Sequence, residues 1–583
     1  MLSRVQKSLY TSLVLCSGVL LLGCFLASLP VVYNDDTCVY FTYARNLVAG
    51  NWFAYDPRGI PSEGFTSLLF LLLLVPFEAL GMNTMFAAVL LNIIGLLFIV
   101  FVATILMKTD HLLAFPDSGI FALTLLVLLT IDDNVFYIVN RSLETLLGPA
   151  LLLPTMVTLV AASDLRAYTP GFSRGHWFTI GFLLASFFAF LVRPENIIFS
   201  GLCGMLLLFL HPRRAVLIRY TAGFGGILVA YYVWKWKLFG DVFPTGFYRK
   251  VHADDTLFPG LSYVLSFGRH YAVPLGLCGL FLVVFWRTGR LRLLRHRSIL
   301  PLLMVGIATP LFFLLTNPLI GYSWRYLINT TVIMYIFLAF MWALLFRWFA
   351  RKCAQSNNLL PYLLFATGIL LAAMGYFSTR KVQFQDIDIH AKATREFQEH
   401  LYIQFGSYLR ENLPDHQRIT LVFGDAGCIP YSFGSIFIDP NGLTEPYVAR
   451  LFKVTDIERK TEQFVNYILS WKPDIIVLGY GSVSNNTWEI FKNLHSPFGN
   501  NSQIGVFSAY RQHGMAYLCS VDSYHDLHLG VLPDSPNFSR VAPVLLKYCE
   551  QHGYVLDEGL VVQEGTKTVL FPRISLEESE NVP

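Results

Sequence analysis

The chain has 583 residues, 54% of them hydrophobic and only 14% charged, with a mean hydropathy of +0.52 and a formal net charge of +4. Soluble domains carry about 25% charged residues, and a soluble fold of this size cannot bury such an apolar excess because its surface must be largely polar. A wholly water-soluble protein is excluded, the small net charge leaves no footprint for nucleic acid, and lipid is the solvent that resolves the composition.

In chain order, Arg4 and Lys7 precede the apolar run Leu13 to Val32. The run is longer than a secretory h-region, and its end, Leu29-Pro30-Val31-Val32, offers no small-x-small cleavage site, so it reads as a retained first span. A spanning helix needs about 20 mostly apolar residues. On that basis spans are expected at 11–32, 85–107, 119–137, 143–162, 176–192, 196–210, 215–236, 270–286, 298–316, 326–346 and 359–377. This makes the chain a mostly α polytopic membrane protein with about 11 transmembrane helices. Phe65 to Leu80 is too short to cross a hydrocarbon core of about 30 Å and reads as juxtamembrane or re-entrant. Arg193-Pro194-Glu195-Asn196 breaks an apolar stretch into two half-length pieces, a pattern that lines cavities.

The most basic loop, Arg287 to Arg297, orients the set by the positive-inside rule. It and Arg347-Arg351-Lys352 are then cytoplasmic, with the N-terminus. The loops 33–84, 138–142 and 238–269 are outside, and so is everything after the last span. The charge content rises from about residue 380, where strand-like runs (Arg418 to Phe423, Asp474 to Leu478) alternate with helix-like ones (390–413, 455–470). The expected organisation is a transmembrane domain over 1–378, an extracytoplasmic α/β domain over 379–575, and a disordered acidic tail over 576–583. The nine cysteines show no metal-ligand spacing.

Five constellations stand out. Tyr33-Asn34-Asp35-Asp36-Thr37 follows the first span and heads an amphipathic segment with an apolar stripe of Tyr40, Phe41, Ala44, Leu47 and Val48, as of a helix lying in the outer interface. Paired carboxylates there fit a general base, an anchor for a divalent cation (magnesium, manganese or calcium), or a plain helix N-cap. Arg141-Ser142-Leu143-Glu144-Thr145, after Asp132-Asp133, fits substrate binding or simple capping. Gly240 to His252 puts Arg249 and Lys250 outside, against the charge rule, where a phosphate or ordinary solvation would account for them. Arg193 and Arg325, in Trp324-Arg325-Tyr326, fit phosphate contacts or local ion pairs. Gly424-Asp425-Ala426-Gly427 follows a strand but opens no clear helix, which makes it weak as a nucleotide loop.

The ordered set resembles the GT-C class of integral membrane glycosyltransferases, and within it the mycobacterial terminal arabinofuranosyltransferase family. The residues that carry the resemblance are Asp35-Asp36-x3-Tyr40-Phe41-x-Tyr43-Ala44-Arg45-Asn46-Leu47, Glu63-Gly64-Phe65-Thr66-Ser67, Leu143-Glu144-Thr145, Arg193-Pro194-Glu195, Gly240-Asp241-x2-Pro244-Thr245-x-Phe247-Tyr248-x-Lys250 and Asp439-x2-Gly442-Leu443. The resemblance implies a polyprenyl-phosphate sugar donor and a catalytic acidic motif at Asp35 and Asp36. It implies donor-phosphate contacts by Arg249, Lys250, Arg325 and Arg193, and sugar or acceptor contacts by Glu63, Glu144, Tyr248 and Asn46. The chain departs from that family at Thr245-Gly246, where Asn-Thr is usual, and at Ser142, where Gly is usual. The expected activity is transfer of one sugar, a pentofuranose such as arabinofuranose in the family, to a cell-envelope glycan or glycolipid outside the cytoplasmic membrane. A transporter or flippase of a polyprenyl-linked or anionic substrate is the alternative. Against it stand the absence of an internal hydropathy repeat and the gathering of charged motifs on one face.

Overall fold

The computed structural model of the chain describes residues 4–29, 33–109, 112–113, 117–163, 174–210, 214–247, 258–287, 297–316, 322–353, 392–451, 456–479, 481–484, 487–490, 514–521, 527–554, 560–564 and 567–571, with the single positions 368 and 454. The span expected at 359–377, the residues Tyr248, Arg249 and Lys250, and the acidic tail lie outside the described residues.

The N-terminal part is a helical bundle. Its helices are α1 (Arg4–Ala27), α2 (Asp35–Val48), α3 (Leu68–Ala79), α4 (Thr84–Thr109), α5 (Asp117–Ile131), α6 (Asp133–Asn140), α7 (Leu147–Ala162), α8 (Arg174–Val192), α9 (Asn196–Leu210), α10 (Arg214–Phe239), α11 (Leu261–His270), α12 (Ala272–Arg287), α13 (Ile299–Leu314) and α14 (Ile328–Cys353). Among the described residues five helical stretches are long and apolar enough to cross a membrane, or seven if each of two bent pairs is one span.

The first bend corrects the straight span expected at 119–137, which breaks at Asp132; the span expected at 270–286 is the helix α12, and the second bend lies at its start. Helices α5 and α6 meet at 70°, and α11 and α12 at 78°. One buried carboxylate serves both breaks. Asp132 caps α6 by accepting from the Val135 N–H at 2.8 Å, and it also accepts the hydroxyls of Tyr271, at the second break, and Tyr335 on α14, at 2.8 and 2.7 Å. A break frees backbone groups that lipid cannot satisfy, so it must be paid for inside the protein. Helix α3 has 12 residues, about 18 Å of rise, and packs against α2, α4 and α8.

The C-terminal part carries a six-stranded mixed sheet. Strands β1 (Thr420–Phe423), β2 (Ile436–Ile438) and β3 (Ile475–Gly479) are parallel, with β1 between the other two. The sheet continues antiparallel through β7 (Leu527–Val531), β6 (Ala516–Val521) and β8 (Gly553–Tyr554). A smaller sheet has the order β10 (Lys567–Phe571), β9 (Leu560–Glu564), β5 (Thr487–Ile490), β4 (Gly481–Ser484). Helices α15 (Lys392–Asn412), α16 (Cys428–Phe433), α17 (Pro446–Leu451), α18 (Ile457–Ser470) and α19 (Phe538–His552) accompany the strands. The runs of Val, Ile, Leu and Phe in β1 to β3 suit strands buried on both faces. A disulfide, Cys519–Cys549, ties β6 to α19.

The packing decides how these parts relate. One apolar core fills the helical bundle. A second runs without a break from Tyr40, Tyr43, Phe65 and Phe70 to Phe405, Phe423, Ile429 and Ile475, so α2 and α3 share a core with the C-terminal sheet. This corrects the single apolar stripe expected for α2. Residues 37–44 are all buried, Thr42 included, whereas Val48 at the end of the stripe is 44% exposed. Phe41 packs edge-on against Tyr431 on one side, and Tyr40 against Phe70 on another.

Candidate active site

The site begins at the first turn of α2. Asp35 and Asp36 open the helix, where the aligned peptide dipoles favour negative charge. Asp35 is buried, and its Oδ1 accepts from the Cys428 N–H at 2.7 Å. Gly427 lies flush against it: a Cβ there would sit 2.2 Å from both the Asp35 carbonyl oxygen and Oδ1, so only glycine lets the two segments meet. The Tyr55 hydroxyl donates to the Ala426 carbonyl and fastens the same loop. Burial, and then the neighbouring Asp425 carboxylate, push the Asp35 carboxyl well above the usual carboxylate range, against the lowering effect of the Cys428 N–H. The Gly424-to-Gly427 stretch thus opens a six-residue helix after all, and its position is beside Asp35.

Asp36 points the other way. Its Oδ2 lies 2.7 Å from Arg325 Nη1, and its side chain is 33% exposed. Trp324 has a φ of +54°, a conformation a bulky side chain adopts only under constraint. The constraint is visible: the indole N–H donates to Ser266 Oγ at 2.8 Å, and the ring stacks on His270 at 4.3 Å. The strained residue aims Arg325 at Asp36. Arg325 and Arg193 both lie over the Tyr326 ring, at 5.2 and 5.0 Å. Arg193 in turn donates to Glu195 at 2.6 Å and pairs with Glu144 at 3.3 Å. Asp36, Arg325, Tyr326, Arg193 and Glu144 therefore form one connected array.

Ser142, two residues before Glu144, is buried with a φ of +56°. A glycine takes that conformation without the Cβ clash, which costs other residues about 1–2 kcal/mol. Ser142→Gly is expected to raise stability by roughly 1 kcal/mol or leave it unchanged. A thermal midpoint several degrees below wild type would show that the serine is needed.

A third group closes the site from the side of α10. Glu63 pairs with Lys235 at 2.7 Å, both buried. Thr245 donates its N–H and hydroxyl to the Glu63 carbonyl at 3.2 and 2.9 Å, and its hydroxyl also meets the Leu443 carbonyl. Gly64 faces that same Leu443 carbonyl, where a Cβ would approach to 2.8 Å. Asp241 pairs with Arg450 at 3.0 Å. Asp439 accepts from the Asn441 and Thr444 N–H groups and shapes the turn that carries Leu443. The loops after α2 and α10 thus converge with the loop after β2.

Burial pushes the Glu63 carboxyl up to about 7 from an ordinary 4.5, with Lys235 opposing the shift. The folded protein therefore keeps a proton there that the unfolded chain has lost. That retained proton makes stability fall as pH rises from about 4.5 to about 7, by up to about 3 kcal/mol from this group. The thermal midpoint of wild type is expected to drop between pH 5 and pH 8 by a few degrees more than that of Glu63→Gln. Parallel pH dependences would rule out Glu63 as the source.

Among the sequence-derived candidates, Asp36, Arg325, Arg193 and Glu144 come together, Asp35 adjoins them, and Glu63 belongs to the Lys235 group. The Asn46 amide donates to the Ala54 and Tyr55 carbonyls at 3.0 and 2.8 Å and holds the loop after α2. Tyr326 and Gly427 stood out in the sequence only as parts of motifs, without a role of their own, and Lys235 and Cys428 were not singled out. A lysine inside the apolar run 215–236 was the one available signal among them. The donor set does not form a ready cation site: Asp36 already faces a guanidinium and Asp35 a backbone N–H. Among the described residues no three His, Cys, Asp or Glu side chains converge as a metal site would require.

Residues 387–516 match a family described as a domain of unknown function (DUF8728). No curated protein matches the chain by sequence. The fold is similar to that of ArnT from Cupriavidus metallidurans bound to undecaprenyl phosphate, with a TM-score of 0.55 and 12% identity over 89% of this chain and 98% of that one. The apo form of ArnT gives a TM-score of 0.53 at the same identity and coverage. The Archaeoglobus fulgidus oligosaccharyltransferase aligns over 82% of this chain and 70% of its own, at 14% identity and a TM-score of 0.48. The likeness to ArnT is one of overall fold.

Proposed function

We propose that the protein transfers one sugar from a polyprenyl-phosphate donor to an extracytoplasmic glycan or lipid acceptor. The carrying observation is the array Asp36–Arg325–Tyr326–Arg193–Glu144, placed beside a buried carboxyl with a raised pKa, Asp35. Guanidinium groups give planar, bidentate recognition of phosphate. A carboxylate whose pKa is raised above the usual range is a stronger base, suited to take a proton from an acceptor hydroxyl. In this reading Asp35 is the base, with Oδ1 fixed by Cys428 and Oδ2 receiving the proton. Asp36 orients Arg325, and Arg325 with Arg193 holds the lipid phosphate. Arg249 and Lys250 are further donor-phosphate residues, and Glu63, Glu144 and Tyr248 serve sugar or acceptor. A pentofuranose such as arabinofuranose is the proposed sugar.

Sidedness follows from the charges at the two ends of α14. Arg325 precedes its start, and Arg347, paired with Asp117 at 2.6 Å, lies about 28 Å of helical rise beyond Ile328. That spacing is close to the hydrocarbon thickness. The Arg347 end belongs to the basic, cytoplasmic side, which puts Asp35 and the C-terminal sheet region outside. Similarity to a fold that binds undecaprenyl phosphate in ArnT supports the donor class.

The test uses membranes containing the full-length protein, supplied with a radiolabelled sugar on polyprenyl phosphate or on a nucleotide. Label is expected to move to envelope acceptors from the lipid-linked donor alone. Transfer from neither donor, or direct transfer from the nucleotide sugar, would overturn the reading.

A further inference from the structure

We propose that Cys38 and Cys428 are joined by a disulfide in the mature protein, stapling the first turns of α2 to the loop after β1. The thiols are both fully buried, and their Sγ atoms are 3.1 Å apart. That is about 1 Å beyond the bonded distance of about 2.04 Å and closer than sulfurs that merely touch.

A metal is the other common reason for two buried thiols to face each other, and the donors for one are missing. Among the described residues no three His, Cys, Asp or Glu side chains gather as metal ligands. The compartment favours oxidation. The same C-terminal region already contains the Cys519–Cys549 disulfide, and disulfides persist outside the cytoplasm. The inference rests to that extent on the extracytoplasmic placement proposed above.

The bond would have a specific consequence. Cys428 donates its N–H to Asp35 Oδ1, and Cys38 lies one turn beyond Asp35 on the same side of α2. The residue that orients the carboxyl would thus be covalently tied to the helix that carries it, across 390 positions of sequence. A link closing so long a loop removes many conformations from the unfolded chain. Cys38 and Cys428 would then be positioning residues, acting through Asp35.

The chemistry is thiol–disulfide exchange. One thiolate attacks a disulfide of an extracytoplasmic thiol oxidoreductase or low-molecular-weight disulfide and forms a mixed disulfide. The second thiolate then displaces it. The Cys38–Cys428 S–S bond forms, two electrons pass to the oxidant, and its two sulfurs leave as thiols with the two protons. Because both groups are buried in the fold, the exchange belongs to folding, before the core around α2 closes.

The experiment maps the cysteines of full-length wild-type protein from membranes. The protein is denatured in alkylating reagent without reductant, digested, and analysed by mass spectrometry before and after reduction. The expected result is two crosslinked peptide pairs, 38 with 428 and 519 with 549, each lost on reduction. Alkylated Cys38 and Cys428 beside an intact 519–549 crosslink would overturn the inference and leave the sidedness standing. Four alkylated cysteines would overturn the inference, and the extracytoplasmic placement with it. As a second readout, reductant should lower the thermal midpoint of wild type further than that of Cys38→Ser/Cys428→Ser, in which only the 519–549 bond remains to be reduced. Equal shifts would show that no such staple exists.

Discussion

Asp35→Asn is expected to lower sugar transfer by about 10²–10⁴-fold, the range lost with a positioned general base, while the protein stays folded. Asparagine keeps the shape of the carboxyl, and its Oδ1 can still accept from the Cys428 N–H, so the contact at 2.7 Å survives and only the proton acceptor is gone. Asp36→Asn should act differently. Asp36 pairs with Arg325 at 2.7 Å and is partly exposed, so its loss removes one anchor of the guanidinium proposed to hold the lipid phosphate. The expected effect is a weaker hold on the lipid donor, read as a rise in KM for polyprenyl-phosphate sugar, with a smaller fall in kcat. The pH profile gives a further check. The base must be ionised to act, and burial holds Asp35 well above the usual carboxylate range. The acid limb of kcat/KM should therefore lie above that range in wild type and vanish in the residual activity of Asp35→Asn. Equal losses in both variants with unshifted acid limbs would remove Asp35 as the base.

These residues were legible in the sequence because their signal is local. Two adjacent acids after a span, a lone arginine at a helix start and a charged break between apolar halves each violate what lipid permits, and each violation stands out on its own. The helical membrane part was legible for a related reason, through the order of apolar runs along the chain. What the sequence did not carry is contact across long separations. Cys428 and Asp35 are 393 positions apart, and neither residue type announces the other. The bend at Asp132 was missed because no Pro or Gly marks it, and the one at Tyr271 because no helix was expected before residue 270. Both meet at a buried carboxylate shared with Tyr335, 203 positions away from Asp132. Ser142 falls between the two cases: glycine is usual there in the family the chain resembles, and its φ of +56° supplies the reason.

The same limit hid the ion cluster that fastens the loop after α2 to the C-terminal region, and its removal is the largest stability effect expected. Arg58 lies 2.7 Å from both Asp56 and Glu445; the two carboxylates are buried, and the Arg58 side chain is 9% exposed. It also donates to the Phe437 carbonyl at 2.7 Å and covers the Trp471 ring at 4.8 Å. Asp56 accepts from the Phe437 N–H, and Tyr467 donates to Glu445. Burial raises the pKa of both carboxyls, and Arg58 is the charge that opposes it. Arg58→Ala therefore leaves two carboxylates without their cation, and breaking buried pairs of this kind costs about 3–5 kcal/mol. The cost falls on the junction. The expected result is a lowered thermal midpoint, earlier protease cleavage between the bundle and the C-terminal sheet, and reduced transfer as Gly427 and Cys428 lose their register on Asp35. Arg58→Lys should recover little, since one ammonium cannot span two carboxylates and a carbonyl as a planar fork does. The informative variant neutralises all three charges, Asp56→Asn, Arg58→Met and Glu445→Gln. If uncompensated charge is the cause, it should be markedly more stable than Arg58→Ala, because a buried ion cluster can be replaced by uncharged groups of similar volume at little net cost. If it is no more stable, the contribution of Arg58 is the packing of its stem and its stacking on Trp471, and the junction is held by shape rather than by charge.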